Sequence, residues 1–135
     1  MDTDASKAAP PGRTIVIVDD EPLLREYEIG LLEELGFPIV DFARADEALG
    51  FLKDHAREVF VLFTDVRMPG AVDGLDLARW VARECPWIRI VVVSAHLTKD
   101  DERLPGDAAF FRKPFLPLEV IRIVNRWSGP DQQPQ

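Results

Sequence analysis

Five short apolar runs punctuate the chain, and between them apolar residues recur at helical spacing. The run TIVIV at 14–18 is β-branched and unbroken, as expected of a strand buried on both faces. VFVLFTDV at 59–66 and WIRIVVVS at 87–94 read the same way, while PIVDF at 38–42 and AAFF at 108–111 are shorter strands. Residues 22–35 open on Pro22, place Leu24, Tyr27, Leu31 and Leu35 on one face, and stop at Gly36. Gly30 sits inside that helix at a cost of ~1 kcal/mol relative to Ala. Residues 45–56 carry Ala48, Leu49 and Leu52; residues 74–85 carry Leu75, Ala78, Val81 and Ala82, with Trp80 off the stripe; residues 115–127 carry Leu118, Ile121, Val124 and Trp127. Val120 and Ile123 make this last helix apolar around much of its girth, so it is also a candidate partner or dimer face.

One crossover breaks the pattern. Between the fourth and fifth strands, LTKDDERLPG offers only Leu97 and Leu104 as apolar residues, and Pro105-Gly106 ends any helix begun there. So short and polar a helix is marginal in water. A fourth helix of at most about one and a half turns is expected, mobile until something orders it. Lys113-Pro114-Phe115 then reads as the start of the last helix.

Strands alternating with helices imply an α/β fold: a doubly wound parallel sheet, covered on both faces by right-handed crossovers. In such sheets chemistry gathers at the carboxyl ends of the strands. Strand one ends in Asp19, Asp20 and Glu21, strand three in Asp65, strand four in Ser94, and strand five just before Lys113. Each has an ordinary explanation alone, as a turn, a strand terminator or a helix start. Together they bring aspartates, a hydroxyl and an ammonium to one rim. Clustered carboxylates repel unless a cation intervenes, and oxygen-only ligands suit Mg²⁺. A carboxylate can also attack phosphorus to give an acyl phosphate, with Lys113 and Ser94 stabilising the added oxygens.

The length of 135 residues fits one domain: 13–128, with flexible segments at 1–12 and 129–135. The net charge of −8 argues against nucleic acid or an anionic membrane as partner. The lone Cys85 suits a reducing compartment, and neither a membrane span nor a signal core is visible. The cytoplasm is the expected location.

The pieces IVIVDDEP, VLFTDVRMPGAVDGLDLAR, VVVSAH and FFRKPF resemble a response-regulator receiver domain of the single-domain type, in an order and spacing that span residues 14–127. The resemblance implies five βα units in a flavodoxin-like strand order 2-1-3-4-5. It implies Asp65 as phosphoacceptor, with Mg²⁺ held by Asp20 and Asp65, by Asp19 through water, and by the backbone carbonyl of Arg67. Ser94 becomes the switch hydroxyl, Lys113 the phosphoryl ligand, and Phe110 the switch aromatic, with Phe111 as the alternative for that position. Met68, Pro69 and Gly70 match the loop after the phosphoacceptor, and Gly74 the glycine opening the next helix. Arg67 and His96 take positions that tune the lifetime of the phosphoryl group, or else simply face solvent. The chain departs from the family in Phe110, which lacks the hydroxyl or imidazole often found there, and in a Ser94–Lys113 interval roughly three residues shorter than the family pattern.

The implied function is a two-component phosphorelay step. A histidine kinase or histidine phosphotransfer protein donates a phosphoryl group to Asp65, and the face made by the fourth helix, fifth strand and last helix signals to a downstream protein. A chain ending after the last helix leads to the expectation of a stand-alone receiver, monomeric or a weak homodimer, and not an enzyme beyond catalysing its own phosphorylation and dephosphorylation. The alternatives are a phosphate sink or shuttle, an interaction module that works without phosphorylation, and an aspartate-nucleophile phosphohydrolase. The last usually needs a second acid two residues after its nucleophile, where Arg67 stands after Asp65 and Glu21, at a helix edge, stands after Asp19.

Overall fold

A computed structural model describes residues 12–96, 101 and 103–128. The elements run β1 (Thr14–Val18), α1 (Pro22–Glu33), β2 (Ile39–Phe42), α2 (Ala45–His55), a short 3₁₀ turn (Ala56–Glu58), β3 (Val59–Asp65), α3 (Gly74–Glu84), β4 (Arg89–Ser94), β5 (Ala109–Arg112) and α4 (Pro117–Ser128). All strand pairs are parallel and the sheet order is β2-β1-β3-β4-β5, the doubly wound arrangement expected from the sequence.

Alternate residues of each central strand serve opposite layers. Val16, Val18, Leu62 and Val92 pack with α2 and α3 residues such as Leu52 and Ala78. Ile15, Ile17, Phe63 and Val93 pack with Leu32 of α1 and with Val120 and Val124 of α4. Each large apolar side chain buried this way contributes roughly 1.5–3 kcal/mol.

Two helical faces differ from the sequence-based expectation. In α1 the buried residues are Glu28 and Leu32, and Tyr27 is 46% exposed. The helix is rotated so that Glu28 and Leu32 face the sheet, and Leu32, with Ile29 and Leu35 beside it, packs on the layer of Ile17, Phe37 and Phe63. In α4 the buried pair is Val120 and Val124, while Leu118 is 54% exposed. That helix starts at Pro117, not at Phe115: Phe115 turns inward against Phe63, with ring centroids 5.9 Å apart, and joins the core under α1. Trp80 packs half-buried on the other layer. Gly36 ends α1 with φ +90°, a conformation that glycine adopts without strain.

The expected fourth helix falls mainly on 97–100 and 102, outside the described residues; 103–108 form turns, closed by Leu104 N–H donating to Asp101 O and Ala108 N–H to Pro105 O. The expected terminal segments, Gly12 apart, also lie outside.

Strand register positions the rim. Val18 stands beside Thr64, Asp65 beside Val93, and Ser94 beside Arg112. One step beyond each pairing come Asp19, Ser94 and Lys113, so separate strands deliver their polar ends to one edge.

Candidate acidic site at the strand ends

Asp19 is fully buried, and its Oδ1 accepts a hydrogen bond from Glu21 N–H at 3.0 Å. Arg25 of α1 anchors the same turn: its Nη1 donates to the Asp19 carbonyl at 2.7 Å and its Nε pairs with Asp41 of β2 at 3.0 Å. Asp20, next along the turn, is exposed. Asp65 is 8% exposed, and its Oδ1 accepts from Val66 N–H at 2.8 Å. One carboxylate oxygen from each of Asp19, Asp20 and Asp65 lies within 4.8 Å of the others. The Oδ2 atom of Asp19 is buried without a hydrogen-bond partner among the described residues. Hard oxygen ligands at this spacing, one carrying an unsatisfied lone pair, fit a small divalent cation such as Mg²⁺.

Lys113 is the counter-charge. Its Nζ lies 3.1 Å from Asp65 Oδ2 and 3.7 Å from Asp19 Oδ2. Burial disfavours its ammonium, but the Asp65 and Asp19 carboxylates more than offset this and raise its pKa. Burial raises the Asp65 pKa, and Lys113 opposes that rise only in part. Lys113 is itself held in place by its backbone N–H, which donates to the Ser94 carbonyl at 3.0 Å. The Ser94 side chain is buried, and its Oγ accepts from His96 N–H at 3.0 Å.

A cleft of about 240 Å³ joins these groups, lined by Asp20, Glu21, Asp65, Arg67, Ser94, Ala95, His96 and Lys113. Arg67 and His96 are exposed at its mouth. Asp19 lies beneath it. Phe110 is half-buried on the α2/α3 side with Leu104 and Ala108, whereas Phe111 points to the other layer. The expected site residues thus gather around one cleft, with Phe110 one strand-length away.

The α3 N-terminus locks the Asp65 end of β3. Gly74 N–H donates to Val66 O at 2.8 Å, and a Cβ on Gly74 would sit 1.6 Å from the Asp65 carbonyl oxygen. Asp73 and Asp76 form a reciprocal capping box at 2.9 and 3.1 Å.

Sequence reading missed Glu28. It is fully buried, and its two carboxyl oxygens lack hydrogen-bond partners among the described residues. Burial, reinforced by the Asp19 carboxylate, pushes its pKa up to about 9. The available signal was a charged residue on the row of fours between Leu24 and Leu32.

The family model for the response regulator receiver domain matches residues 15–124, and the chain belongs to that family. It is 36% identical over 116 residues to the nitrogen assimilation regulatory protein NtrX of Azorhizobium caulinodans, covering 83% of this chain and 25% of that one. It is 31% identical over 124 residues to the alginate biosynthesis transcriptional regulatory protein AlgB of Pseudomonas aeruginosa, covering 89% and 26%. The chain therefore spans about a quarter of the length of each of these relatives. A response regulator receiver protein from Sinorhizobium medicae superimposes with TM-score 0.78 at 27% identity, covering 85% of this chain and 93% of that one. The response regulator TrrA from Thermotoga maritima, solved in complex with Mg²⁺-BeF, superimposes with TM-score 0.73 at 27% identity, covering 84% and 97%. Among the described residues, no helix is long and apolar enough to cross a membrane.

Proposed function

We propose that this receiver accepts a phosphoryl group on Asp65 from a histidine kinase or histidine phosphotransfer protein and passes the signal on by protein contact. The observation that carries the reading is the Lys113 ammonium, 3.1 Å from Asp65 Oδ2 in a cleft that also holds Ser94. An Asp65 oxygen attacks phosphorus as the donor's P–N bond breaks, and the freed imidazole nitrogen recovers its lone pair. Lys113 and the Ser94 hydroxyl take the phosphoryl oxygens. Asp19, Asp20, Asp65 and the Arg67 backbone carbonyl would hold Mg²⁺, which supplies charge neutralisation for the transferring group when bound. Arg67 and His96 at the cleft mouth border the route of hydrolytic water and set the lifetime of the phosphoryl group.

The donor protein has a fitting seat. An apolar hollow of about 480 Å³ is lined by Leu24, Tyr27, Ala95, Lys113, Pro114 and Phe115, and Leu23 and Leu116, the chain neighbours of Leu24 and Phe115, are 82% and 64% exposed. A contiguous apolar patch bordering the reactive cleft suits a protein donor better than a small phosphate ester. Output runs through Phe110, the segment between β4 and β5, and the exposed side of α4, toward a downstream protein. The setting is the cytoplasm, and the chain turns over no external substrate.

³¹P and amide NMR with Mg²⁺, before and after a small phosphodonor or beryllofluoride, tests this. An acyl-phosphate signal that disappears in Asp65→Asn is expected, with amide shifts around Ser94 and Phe110. Absence of any Asp65-dependent change favours a module that works without phosphorylation, and sustained hydrolysis of a phosphate ester favours an enzyme.

A further inference from the structure

We propose that Arg25 is a positioning residue for the acidic turn: its guanidinium, anchored to Asp41 on the neighbouring edge strand, holds the Asp19 backbone so that the Asp19 and Asp20 carboxylates stay gathered with Asp65. The inference rests on the reading of the cleft as a cation site.

The β1–β2 register ends at the Val18–Phe42 pair, and Asp19 N–H still donates to the Phe42 carbonyl at 3.1 Å. Asp19 is fully buried, so its own carbonyl needs a donor just past the last rung. Arg25 supplies it, with Nη1 at 2.7 Å. Nε of the same side chain donates to Asp41 Oδ2 at 3.0 Å, and Asp41 precedes Phe42 on β2. The Arg25 main-chain N–H donates to the Glu21 carbonyl at 2.9 Å, and Glu21 N–H to Asp19 Oδ1 at 3.0 Å. One residue thus grips both ends of the turn that carries Asp20, one end by its side chain and the other by its backbone.

The planar guanidinium fixes its donors in one geometry, which the flexible ammonium of a lysine does not. It is no counter-charge for the carboxylates: Arg25 does not line the cleft, and these two donors are spent on the Asp19 carbonyl and on Asp41. Charge and position therefore act in opposite directions. A cation standing near a Mg²⁺ site weakens binding by repulsion, whereas a brace that keeps the ligands gathered strengthens it. Loss of a group standing behind metal ligands typically weakens metal binding 10- to 100-fold. The sign of the effect separates the two roles.

The test measures Mg²⁺ affinity by calorimetry, and amide hydrogen exchange of the 19–21 turn in the metal-free protein. Arg25→Met is expected to bind Mg²⁺ about tenfold more weakly, although it removes a positive charge, and to exchange the Glu21 amide faster. Asp41→Ala, an exposed change on the sheet edge, is expected to weaken Mg²⁺ about threefold, and it carries the test should methionine not fold at position 25. The double variant is expected to bind no more weakly than Arg25→Met alone, because Asp41 acts only through Arg25. Parent-like or tighter binding in either single variant overturns the inference, as do penalties that multiply in the double variant. If the parent chain itself binds no Mg²⁺, or Asp20→Asn binds it undiminished, the cation reading of the cleft fails first and this inference falls with it.

Discussion

Lys113 on the edge side of the sheet reaches over the end of β4 to place its Nζ 3.1 Å from Asp65 Oδ2 on β3. The pair closes the rim across a strand that neither residue belongs to. Because burial pushes Asp65 toward its neutral form and Lys113 pulls it back, the two groups set each other's charge. Lys113→Met is expected to raise the Asp65 pKa further, because the ammonium that opposes the effect of burial is gone. Carbon NMR of the Asp65 carboxyl, titrated without metal, reads this directly.

Glu28 predicts a pH dependence. Its pKa of about 9 in the folded chain lies well above the usual carboxyl value, so between about pH 4.5 and 9 the folded state holds a proton that the unfolded state has released. Stability from this group is complete below about pH 4.5 and is lost as pH rises toward 9. Its slope is at most ~1.4 kcal/mol per pH unit. Glu28→Gln removes that slope, so the variant's advantage over the parent should widen with pH in urea unfolding with EDTA present.

Gly74 predicts a severe backbone effect. An added Cβ would stand 1.6 Å from the Asp65 carbonyl oxygen, and that atom belongs to the strand rather than to a flexible side chain. Gly74→Ala is expected to lose about 3 kcal/mol or more and to displace the Asp65 loop. Urea unfolding and the Val66 and Gly74 amide shifts check both parts.

Asp73→Ala removes one side of the capping box that starts α3. A loss of about 1 kcal/mol is expected in urea unfolding, with the Asp65 chemistry retained.

Much of this molecule was readable before its structure. The three central strands are long apolar runs, while β2 and β5, four residues each, were the weaker signals; the polar residues at the central strand ends stand out: Asp19, Asp65 and Ser94 each follow buried β-branched neighbours. Lys113 was legible only through its context, because a lysine before a proline carries no strand-end signal of its own. Helix faces were harder. Tyr27 is apolar enough to be assigned inward, yet it lies on the exposed side, and Glu28 is charged enough to be assigned outward, yet it is fully buried. Hydrophobic periodicity ranks residues by their transfer energy to oil, and so places any carboxyl outward even where its protonated form can be buried. The start of α4 was misplaced for a related reason. Pro114 and Pro117 both suit a helix start, and the inward packing of Phe115 against Phe63 decides between them.

Phe110 and Phe111 are adjacent in the chain but belong to separate cores, one beneath α2 and α3, the other beneath α1 and α4. A designer can therefore adjust the two layers independently from a single dipeptide. Trimming Phe110 loosens the layer beneath α2 and α3, and trimming Phe111 loosens the layer that seats α4. Changing both together would merge two separate controls into one.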